Sequence, residues 1–369
     1  MGNLVCESNK CTGCKACIDI CPKDALIFRD SLDVMNVEID IDKCVNCGAC
    51  HRVCQVNNPV LLSKPIFWKQ GWAVDEVRRS SSSGGFAAQL MGSFMDDNSY
   101  VCSCAFKEGR FGYFVTNKYE IIENFKGSKY VKSDPKGVYR DIAELLKKRY
   151  RVLFVGLPCH IAALKNYLNG KYRDNLFTID LICHGSPSPN ILGMFLKEHN
   201  YDINEIGGIS FRTNNRFALN LGNGPIVPLG AHDRYTLGFL RGLFYTDNCY
   251  SCNYAQLNRV SDITIGDSWG TDLSGEEERG ISLALCQTEK GKKLLLNAGL
   301  NLYDVDLEKA VVANHQLSTP SIKITERERF FKTLNKTNNV GRSIFDCFPK
   351  DCLKQGLKGF LIKTKIIKR

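Results

Sequence analysis

The chain has 369 residues, 18 of them cysteine, and a formal net charge of +10. This length allows more than one domain and a sizeable core, but no apolar run approaches the roughly 18 residues that a membrane-spanning helix needs. No basic, aromatic-interleaved surface indicates a nucleic-acid partner. So many free thiols, with no secretory leader, predict a reducing and therefore cytoplasmic environment.

The most informative pattern is a run of cysteines that occurs twice near the amino terminus. Both runs have the spacing C-x2-C-x2-C-x3-C, and a proline follows the first. Three closely spaced thiolates suit one iron–sulfur cube, and in two-cluster ferredoxins the fourth cysteine of each run ligates the other cube. The predicted ligands are Cys11, Cys14, Cys17 and Cys54 for the first [4Fe–4S] cluster, and Cys21, Cys44, Cys47 and Cys50 for the second.

Zinc and disulfide bonds are the alternatives for these eight cysteines. Zinc sites prefer two separated C-x2-C pairs, and disulfide scaffolds belong mostly to short secreted chains. We therefore interpret residues 1–60 as a bacterial-type two-cluster ferredoxin module of the α+β kind, stabilised largely by its clusters. Two short strands are expected between the runs, and in the second of them Val37, Ile39 and Ile41 should face inward.

The next segment joins this module to a larger domain. Residues 61–75 are interpreted as a connector that contains Pro65. A serine- and glycine-rich stretch at 80–85 then opens an apolar helix at 86–95. Small residues before a helix let the backbone approach a phosphate, so the stretch is either an anion site or a flexible linker. Strands are expected at 100–105 and 113–116, and a helix at 137–148.

From residue 151 onward, buried strands alternate with helices. Strands are predicted at 152–155, 177–182, 206–212, 262–266 and 281–286. Helices are predicted at 160–168, from the end of segment 183–188 to about residue 199, and at 290–298. Continuous apolar strands that alternate with helices predict an α/β domain whose sheet is covered on both faces. We expect a mixed sheet, with residues 76–150 as the N-terminal part of this domain and residues 151–345 as its C-terminal part.

Four further cysteines form a second group of candidates. Cys159 and Cys183 each follow a predicted strand and lie where a helix begins. Ligands collect at the carboxyl ends of strands in open α/β sheets, and a helix N-terminus favours a thiolate. Together with the C-x2-C pair Cys249 and Cys252, they could hold a third [4Fe–4S] cluster or zinc, whereas ordinary buried cysteines remain the alternative.

Other patterns narrow the chemistry without assigning a catalytic residue. The chain lacks G-x-G-x-x-G and G-x4-G-K-[ST], so a pyridine-dinucleotide Rossmann site and a nucleoside triphosphatase are both unsupported. His160 and His184 are candidates for proton donors or for core residues. Asp267 and Trp269 follow a predicted strand, which suits a ligand contact or an ordinary turn.

The C-terminal segment, residues 346–369, is interpreted as a basic tail. Residues 350–369 hold seven Lys or Arg and one Asp. A solvated, partly helical end accounts for this composition. Weak contact with an anionic membrane surface or an acidic partner is the alternative.

Taken in order, these pieces resemble the beta-subunit family of coenzyme F420-reducing hydrogenases and dehydrogenases. The matching segments, besides the two cysteine runs, are S-S-S-G-G-F (81–86), G-S-K-Y-V-K-S (127–133), G-L-P-C-H (156–160), C-H-G-S-P-S (183–188), C-Y-S-C (249–252) and S-D-I-T-I-G-D-S-W-G (261–270). The resemblance implies that the α/β domain binds a flavin and carries its own iron–sulfur cluster.

The resemblance also implies site residues. FAD phosphates would be held by Ser83, Gly84 and Gly85, with Lys129 and Ser133 nearby. The third cluster would be held by Cys159, Cys183, Cys249 and Cys252.

By this resemblance, the chain is expected to be an oxidoreductase that passes electrons between its clusters and a flavin. The flavin would exchange hydride with F420 or another organic substrate, and a ferredoxin or larger oxidoreductase subunit would be the redox partner. Some bacterial relatives are associated with surface-polysaccharide pathways. A non-catalytic ferredoxin-like electron-transfer subunit and a thiol–disulfide reductase are the alternatives.

Overall fold

The computed structural model describes residues 4–213, 216–222 and 224–366. Residues 1–3 of the predicted ferredoxin module and residues 367–369 of the predicted basic tail lie outside the described residues. The described chain consists of an N-terminal module, a large mixed sheet with helices on both faces, and a second small sheet that packs with C-terminal helices.

The N-terminal module is built from two short helices and one β-hairpin. Its elements are α1 (Ala16–Ile20), β1 (Leu26–Asp30), β2 (Met35–Ile39) and α2 (Ala49–Val53). The predicted strand pair is confirmed, since β1 and β2 are antiparallel with Leu26 opposite Ile39. The inward position predicted for Ile41 is wrong, because its side chain is 67% exposed. The strand ends at Ile39, and a turn follows in which the Asp42 amide donates to the Asp40 carboxylate at 3.1 Å.

The rest of the chain forms the two sheets and their surrounding helices. The strands are β3 (Phe67–Trp72), β4 (Ser99–Lys107), β5 (Arg110–Thr116), β6 (Arg151–Gly156), β7 (Leu176–Leu181), β8 (Ile209–Thr213), β9 (Arg216–Leu221), β10 (Gly224–Pro225), β11 (Ile263–Asp267), β12 (Ser282–Cys286) and β13 (Asn301–Tyr303). The helices are α3 (Asp75–Arg79), α4 (Phe86–Phe94), α5 (Ile122–Phe125), α6 (Val138–Lys147), α7 (Pro158–Tyr167), α8 (Pro189–Glu198), α9 (Arg234–Leu240), α10 (Glu289–Leu296), α11 (Leu307–Ala313), α12 (Glu326–Thr337), α13 (Val340–Cys347) and α14 (Pro349–Lys363).

The large sheet is mixed, with strand order β13-β3-β12-β11-β7-β6-β4-β5. The central strands β4, β6, β7 and β11 are parallel, and the strands outside them pair antiparallel. Alternate residues of β6 enter different cores, because Val152 and Phe154 pack with residues of α6 and α7, while Leu153 and Val155 pack with residues of α4. The predicted α/β domain with a mixed sheet covered on both faces is therefore confirmed.

Residues 61–75 are more than the predicted connector, because β3 lies within them. β3 pairs with β12 on one side and with β13 on the other, so it is internal to the sheet. Gly71 permits the second pairing, since a Cβ at this position would overlap the Asn301 carbonyl oxygen. The sheet thus takes strands from residues 61–75, from 76–150 and from 151–345.

The N-terminal module packs directly on α6 of the larger domain. The Tyr139 hydroxyl donates to the Cys14 carbonyl at 2.9 Å. The Asp19 carboxylate accepts the Gly137 amide at 2.8 Å, at the start of α6. These contacts turn the first cysteine run towards the core of the larger domain.

A second, smaller sheet packs with helices from the C-terminal part of the chain. The three strands β8, β9 and β10 form a small antiparallel sheet. An aromatic core joins this sheet to α9, α12 and α13 and includes Phe211, Tyr235, Phe244 and Phe330. This core covers one side of the cavities described below.

The predicted basic tail is helical over most of its length, because α14 covers Pro349–Lys363. Leu353, Leu357 and Phe360 on this helix are 61–64% exposed. Contact with a membrane surface or an acidic partner stays a prediction. Within the described ranges, no helix combines the length and apolar character needed to cross a bilayer.

Candidate functional site

The four cysteines predicted for the first cluster line one small cavity. This first-cluster cavity is lined by residues that include Cys11, Cys14, Cys17 and Cys54. Cys14, Cys17 and Cys54 are only 7–8% exposed. The exchange of the fourth cysteine between the two runs therefore agrees with the packing, since Cys54 lines a cavity with the first run, whereas the other cysteines of its own run do not line that cavity.

The cysteines predicted for the second cluster lie nearer the surface. Cys47 is exposed, whereas Cys21, Cys44 and Cys50 are half-buried. Burial raises the pKa of Cys50, and the nearby Cys21 and Cys44 thiols add to this rise. The Ala25 amide donates to Cys21 Sγ at 3.4 Å. This set can reach solvent and a docking protein, unlike the first.

The two cysteine loops repeat the same backbone conformation. Gly13 and Asn46 occupy equivalent positions with φ of 67° and 53°, and Lys15 and Gly48 do so with φ of 57° and 69°. The Asn46 amide donates to Cys44 Sγ at 3.4 Å. Backbone N–H groups that point at thiolate sulfurs are a usual feature of iron–sulfur sites, so the donor set fits a cluster in each loop.

Cys6, which the cysteine spacing leaves unassigned, lies beside the first set. Its thiol is hydrogen-bonded to Cys11 and Cys54, and this bond lowers the pKa of Cys54 to about 6. The Val5 amide donates to the Val37 carbonyl at 3.0 Å and holds the segment there. Cys6 stands outside the C-x2-C spacing, so only the pairing of the amino terminus with β2 reveals its position.

The four cysteines of the second group are also brought together. The inner cavity, of about 60 Å³, is lined by residues that include Cys159, Cys183, Cys249 and Cys252. Cys159 lies in the first turn of α7, where Pro158 favours helix initiation. Cys183 follows β7, and Cys249 lies in the short 3-10 helix Asp247–Ser251.

A buried ion pair fixes the loops around the inner cavity. Arg259 Nη2 lies 2.8 Å from Asp180 Oδ1, and both side chains are almost inaccessible to solvent. Arg259 also donates to the carbonyls of Leu181 and Tyr254. The pair therefore joins the end of β7 to the segment that follows Cys252.

Burial favours the protonated thiols of Cys159, Cys183 and Cys252 unless a metal binds them. Burial raises the pKa of Cys183 to about 12 and raises that of Cys159 well above its ordinary value. Metal binding would displace these protons, and the Ser186 amide, 3.5 Å from Cys249 Sγ, is placed to stabilise a thiolate. Four thiols that converge with an amide donor fit a cluster. Across the described ranges, no three or more His, Cys, Asp or Glu side chains are arranged to hold a single metal ion.

Two side-chain connections join the first-cluster cavity to the inner cavity. Lys132 Nζ donates to the Thr12 carbonyl at 3.1 Å and to the Thr246 hydroxyl at 2.7 Å. The Tyr254 hydroxyl is hydrogen-bonded to Gln55, which donates to the Thr12 hydroxyl at 3.2 Å. Both connections run from the first cysteine loop to the segment around Cys249 and Cys252.

A third space, the large cavity, has a volume of about 310 Å³. Of the residues predicted to hold FAD, Ser83, Gly85, Lys129 and Ser133 line it. Gly84 does not line the cavity. A Cβ on Gly84 would lie 2.5 Å from the Gly71 carbonyl oxygen, so this glycine allows two backbone segments to pack closely. This volume lies within the range of small-ligand sites.

The two predicted flavin-binding segments contact each other. The Ser128 amide donates to the Ser82 hydroxyl at 2.9 Å, and Lys126 Nζ donates to the Ser80 hydroxyl at 2.8 Å. Burial lowers the pKa of Lys129 to about 8. Small residues, backbone amides and a lysine at the start of α4 fit a phosphate-bearing ligand.

Several residues of the large cavity were not found from the sequence. Arg212 Nη1 lies 2.6 Å from Asp267 Oδ2, and its side chain is 2% exposed. The Tyr130 ring stacks on Phe239 with centroids 4.3 Å apart. The sequence placed Asp267 at a strand end, but Arg212 reaches the cavity from the other sheet, so only the tertiary fold brings them together.

The two histidines beside the inner thiols have different surroundings. His160 is fully buried, with Nδ1 hydrogen-bonded to the Tyr113 hydroxyl at 3.0 Å, and among the described residues its Nε2 has no partner. Burial lowers the pKa of His160 to about 3 and that of His184 to about 4. His184 lines both the inner and the large cavity. Both rings are therefore neutral near pH 7.

The three cavities adjoin one another in space, in the order first-cluster cavity, inner cavity and large cavity. The first-cluster and inner cavities share the wall residues Thr12, Gln55 and Val56. The inner and large cavities share Leu157, Cys183, His184, Gly185 and Ser186. The arrangement leads from the first cysteine set, through the inner cysteine set, to the large cavity.

Comparison with known proteins gives two family matches. Residues 150–305 match the family described as the C terminus of the coenzyme F420 hydrogenase/dehydrogenase beta subunit, and residues 10–58 match a 4Fe-4S dicluster domain. A chain from the xenon-derivatised F420-reducing [NiFe] hydrogenase complex of Methanosarcina barkeri is 19% identical, with a TM-score of 0.47, over 74% of this chain and 95% of that chain. No curated protein matched the chain.

These matches confirm the family resemblance and the ferredoxin-type module inferred from the cysteine spacing. They also place the C-terminal match on the region that contains all four inner cysteines. The chain is an iron–sulfur electron-transfer protein related to coenzyme F420 hydrogenase/dehydrogenase beta subunits: its residues 10–58 match a 4Fe-4S dicluster domain, and its residues 150–305 match the C-terminal domain of those subunits.

Proposed function

We propose that the chain is an iron–sulfur flavoprotein oxidoreductase in which electrons pass between a redox partner and an organic substrate. The observation that carries this proposal is the series of three adjoining cavities. The first is lined by its four predicted ligands and Cys6, the second is lined by four cysteines, and the third has a volume of about 310 Å³, within the range of small-ligand sites. Electron transfer through a protein requires redox centres in close succession, and this order supplies them.

The proposal assigns three ligand sets. The first cluster is held by Cys11, Cys14, Cys17 and Cys54; the second by Cys21, Cys44, Cys47 and Cys50; and the inner cluster by Cys159, Cys183, Cys249 and Cys252. When bound, the clusters supply one-electron transfer and the flavin supplies hydride exchange. The exposed second set would meet the partner, and the buried inner set would face the flavin.

The protein residues would bind, orient and exclude water. Ser83, Gly85, Lys129 and Ser133 would hold FAD in the large cavity. The aromatic rings of Tyr130 and Phe239 would exclude water from the reacting ring. The Arg212–Asp267 pair, on the same wall, would orient the substrate by charge-assisted hydrogen bonds.

We propose F420 or another organic hydride carrier as the substrate, because the matching family is named for F420 enzymes. The same name describes a beta subunit, so a catalytic or electron-transferring partner subunit is proposed as well. The surface-polysaccharide context and the cytoplasmic location remain predictions.

One experiment tests the cofactor set. Protein purified without air should contain about twelve iron and twelve sulfide per chain, together with one FAD. About eight iron with no flavin would favour the non-catalytic electron-transfer subunit. Zinc in place of the inner four iron would contradict the inner cluster. A thiol–disulfide reductase that reacts through Cys159 is disfavoured, because reactive cysteines need a lowered pKa, whereas burial raises the pKa of Cys159.

A second experiment tests the flavin site through Lys129. Its charge is present below pH 8 and is lost as the pH rises through about 8. Flavin-depleted protein should therefore bind FAD less tightly at pH 9 than at pH 7. Lys129→Met should weaken binding at pH 7 by about 1.5 kcal/mol, or about tenfold in Kd, and remove most of the pH dependence. Lys118→Met, outside the cavity, is the control; equal pH dependence in Lys129→Met would contradict the assignment.

A further inference from the structure

One ammonium group lies between the first and inner cysteine sets. Lys132 is 5% exposed. Its Nζ donates to the Thr12 carbonyl at 3.1 Å, within the first cysteine run. It also donates to the Thr246 hydroxyl at 2.7 Å and the Asn248 side-chain oxygen at 3.2 Å, in the segment that leads to Cys249. A single side chain therefore contacts both ligand segments.

Among the described residues, these three hydrogen-bond acceptors of Lys132 are uncharged. Burying a cation among neutral groups lowers the free energy of unfolding. Thr12 lies between Cys11 and Cys14 in the sequence, and Lys132 also lines the inner cavity. The Thr246 hydroxyl lies 3.6 Å from Cys249 Sγ, and the Asn248 side-chain amide donates to the same sulfur at 3.7 Å. Lys132 is therefore held by residues that border cysteines of both sets.

A cube with four thiolates carries a net charge of about −2 in its oxidised form. Two such groups, one on each side, would supply the negative charge that Lys132 lacks among its hydrogen-bond partners. We propose that Lys132 is the shared counter-ion of the first and inner clusters and that it raises the reduction potential of both. The proposal rests on the ligand sets of the proposed function.

The physical reason is the charge change on reduction. One electron would pass from a cluster in the first set, which would be oxidised, to a cluster in the inner set, which would be reduced, with no bond made or broken. A cation in a poorly solvated interior stabilises the negative charge that reduction adds. Because Lys132 contacts both ligand segments, it would raise both potentials in the same direction. Within the described part of the chain, the second set at the surface has no such contact with Lys132.

The test is a redox titration followed by electron paramagnetic resonance on anaerobically purified holoprotein. Lys132→Met removes the charge and Lys132→Arg keeps it. Lys290→Met removes a lysine whose Nζ donates to the Arg173 carbonyl at 2.7 Å, away from the cavities. The reduction midpoint of the second cluster is identified as the one that disappears in the Cys47→Ala variant.

In Lys132→Met, two of the three midpoints should shift to more negative potentials, and the second-cluster midpoint should not move. Lys132→Arg should return the two shifted midpoints towards their wild-type values. Lys290→Met should leave all three midpoints unchanged. Unmoved midpoints in Lys132→Met, or an equal shift of all three, would overturn the proposal.

The iron content of the two variants distinguishes an effect of the Lys132 charge from an effect of its side-chain shape. If Lys132→Met loses iron only from the first and inner sets while Lys132→Arg loads fully, charge compensation is supported. If Lys132→Arg also loses this iron, the side chain acts through its shape and the proposal fails. Wild-type protein with only about eight iron would instead contradict the proposed inner cluster, so the two failures are distinguishable.

Discussion

The N-terminal cysteine sets and the inner cysteine set are built in different ways. The N-terminal ligands come from two loops of the same spacing, and the loops repeat their left-handed residues at equivalent positions. The inner ligands come from the start of α7, the end of β7 and a 3-10 helix more than sixty residues later. The first kind of site depends on local backbone geometry, and the second on the whole fold of the larger domain.

The two kinds of site also differ in exposure. Cys47 is exposed, whereas Cys249 is buried. The first set has three buried cysteines and shares wall residues with the inner cavity. In the proposed function, the exposed second set would therefore meet a protein partner, and the large cavity beyond the inner set would take a small molecule.

The largest expected effect is on the inner site, through the buried pair of Asp180 and Arg259. Asp180→Ala leaves the Arg259 charge buried without its partner, which typically costs about 3–5 kcal/mol. The loop after Cys252 should lose its anchor, so the protein should retain the iron of the N-terminal module and lose inner iron. Iron and sulfide analysis, with thermal unfolding measured anaerobically, tests both effects.

The matched control is an exposed pair on the N-terminal hairpin. Arg29 and Glu38 lie 3.0 Å apart with side chains 56% and 44% exposed. Glu38→Ala should cost only about 0.5 kcal/mol, because exposed ion pairs contribute little. Equal destabilisation by Asp180→Ala and Glu38→Ala would remove the distinction between a fold-dependent and a local site.

The second-largest expected effect is the loss of a single cluster when one of its cysteine ligands is replaced. Cys159→Ala and Cys47→Ala should each lower the iron content by about four per chain. Cys47→Ala should slow reduction by an external protein donor and leave the inner site loaded, because Cys47 is exposed and remote from the inner cavity. Cys159→Ala should leave the N-terminal iron in place but interrupt transfer to FAD. Full iron retention in Cys159→Ala would contradict its assignment.

The N-terminal ligands could be predicted from the sequence because their spacing is local. The inner set could be predicted in part, since Cys159 and Cys183 follow strands whose apolar pattern is visible. The sequence could only suggest their convergence with Cys249 and Cys252, because it depends on the parallel pairing of β7 with β11 and on the chain between them.

Other features depend on contacts between distant segments and could not be predicted. β3 is a strand because β12 and β13 pair with it from more than two hundred residues away. Arg212 lies in no matching segment, and Lys132 lies in the segment 127–133 without a role that the sequence assigns. The contacts of both residues follow only from the tertiary fold. Cys6 lies outside the regular spacing and becomes a neighbour of Cys11 only through pairing with β2.

A smaller effect concerns the rate at which iron leaves the protein. A chelator should remove iron in two phases, and about four of the twelve iron should leave first, because the second set is the most exposed. Cys47→Ala should abolish the fast phase. Iron release in a single phase from the wild-type protein would show that the three sites open together.

The smallest expected effect tests the repeated loop conformation with two glycines. Gly13 and Gly48 both have positive φ, at 67° and 69°. A Cβ on Gly48 would meet only the flexible end of Arg52 at 3.2 Å, whereas a Cβ on Gly13 would lie 2.7 Å from the buried Met35 sulfur. Gly48→Ala should therefore cost about 1 kcal/mol, and Gly13→Ala about 2 kcal/mol or more, because overpacking adds to the strain.

Non-glycine residues already stand at the equivalent positions, since Lys15 matches Gly48 and Asn46 matches Gly13. Asn46→Gly is the control and should be close to neutral, because asparagine tolerates a left-handed backbone. Loss of cluster absorbance on anaerobic heating measures all three variants. The repeat predicts that Gly48→Ala keeps the second cluster and that Gly13→Ala weakens the first. The opposite order would mean that the two loops share a spacing but not a supporting structure.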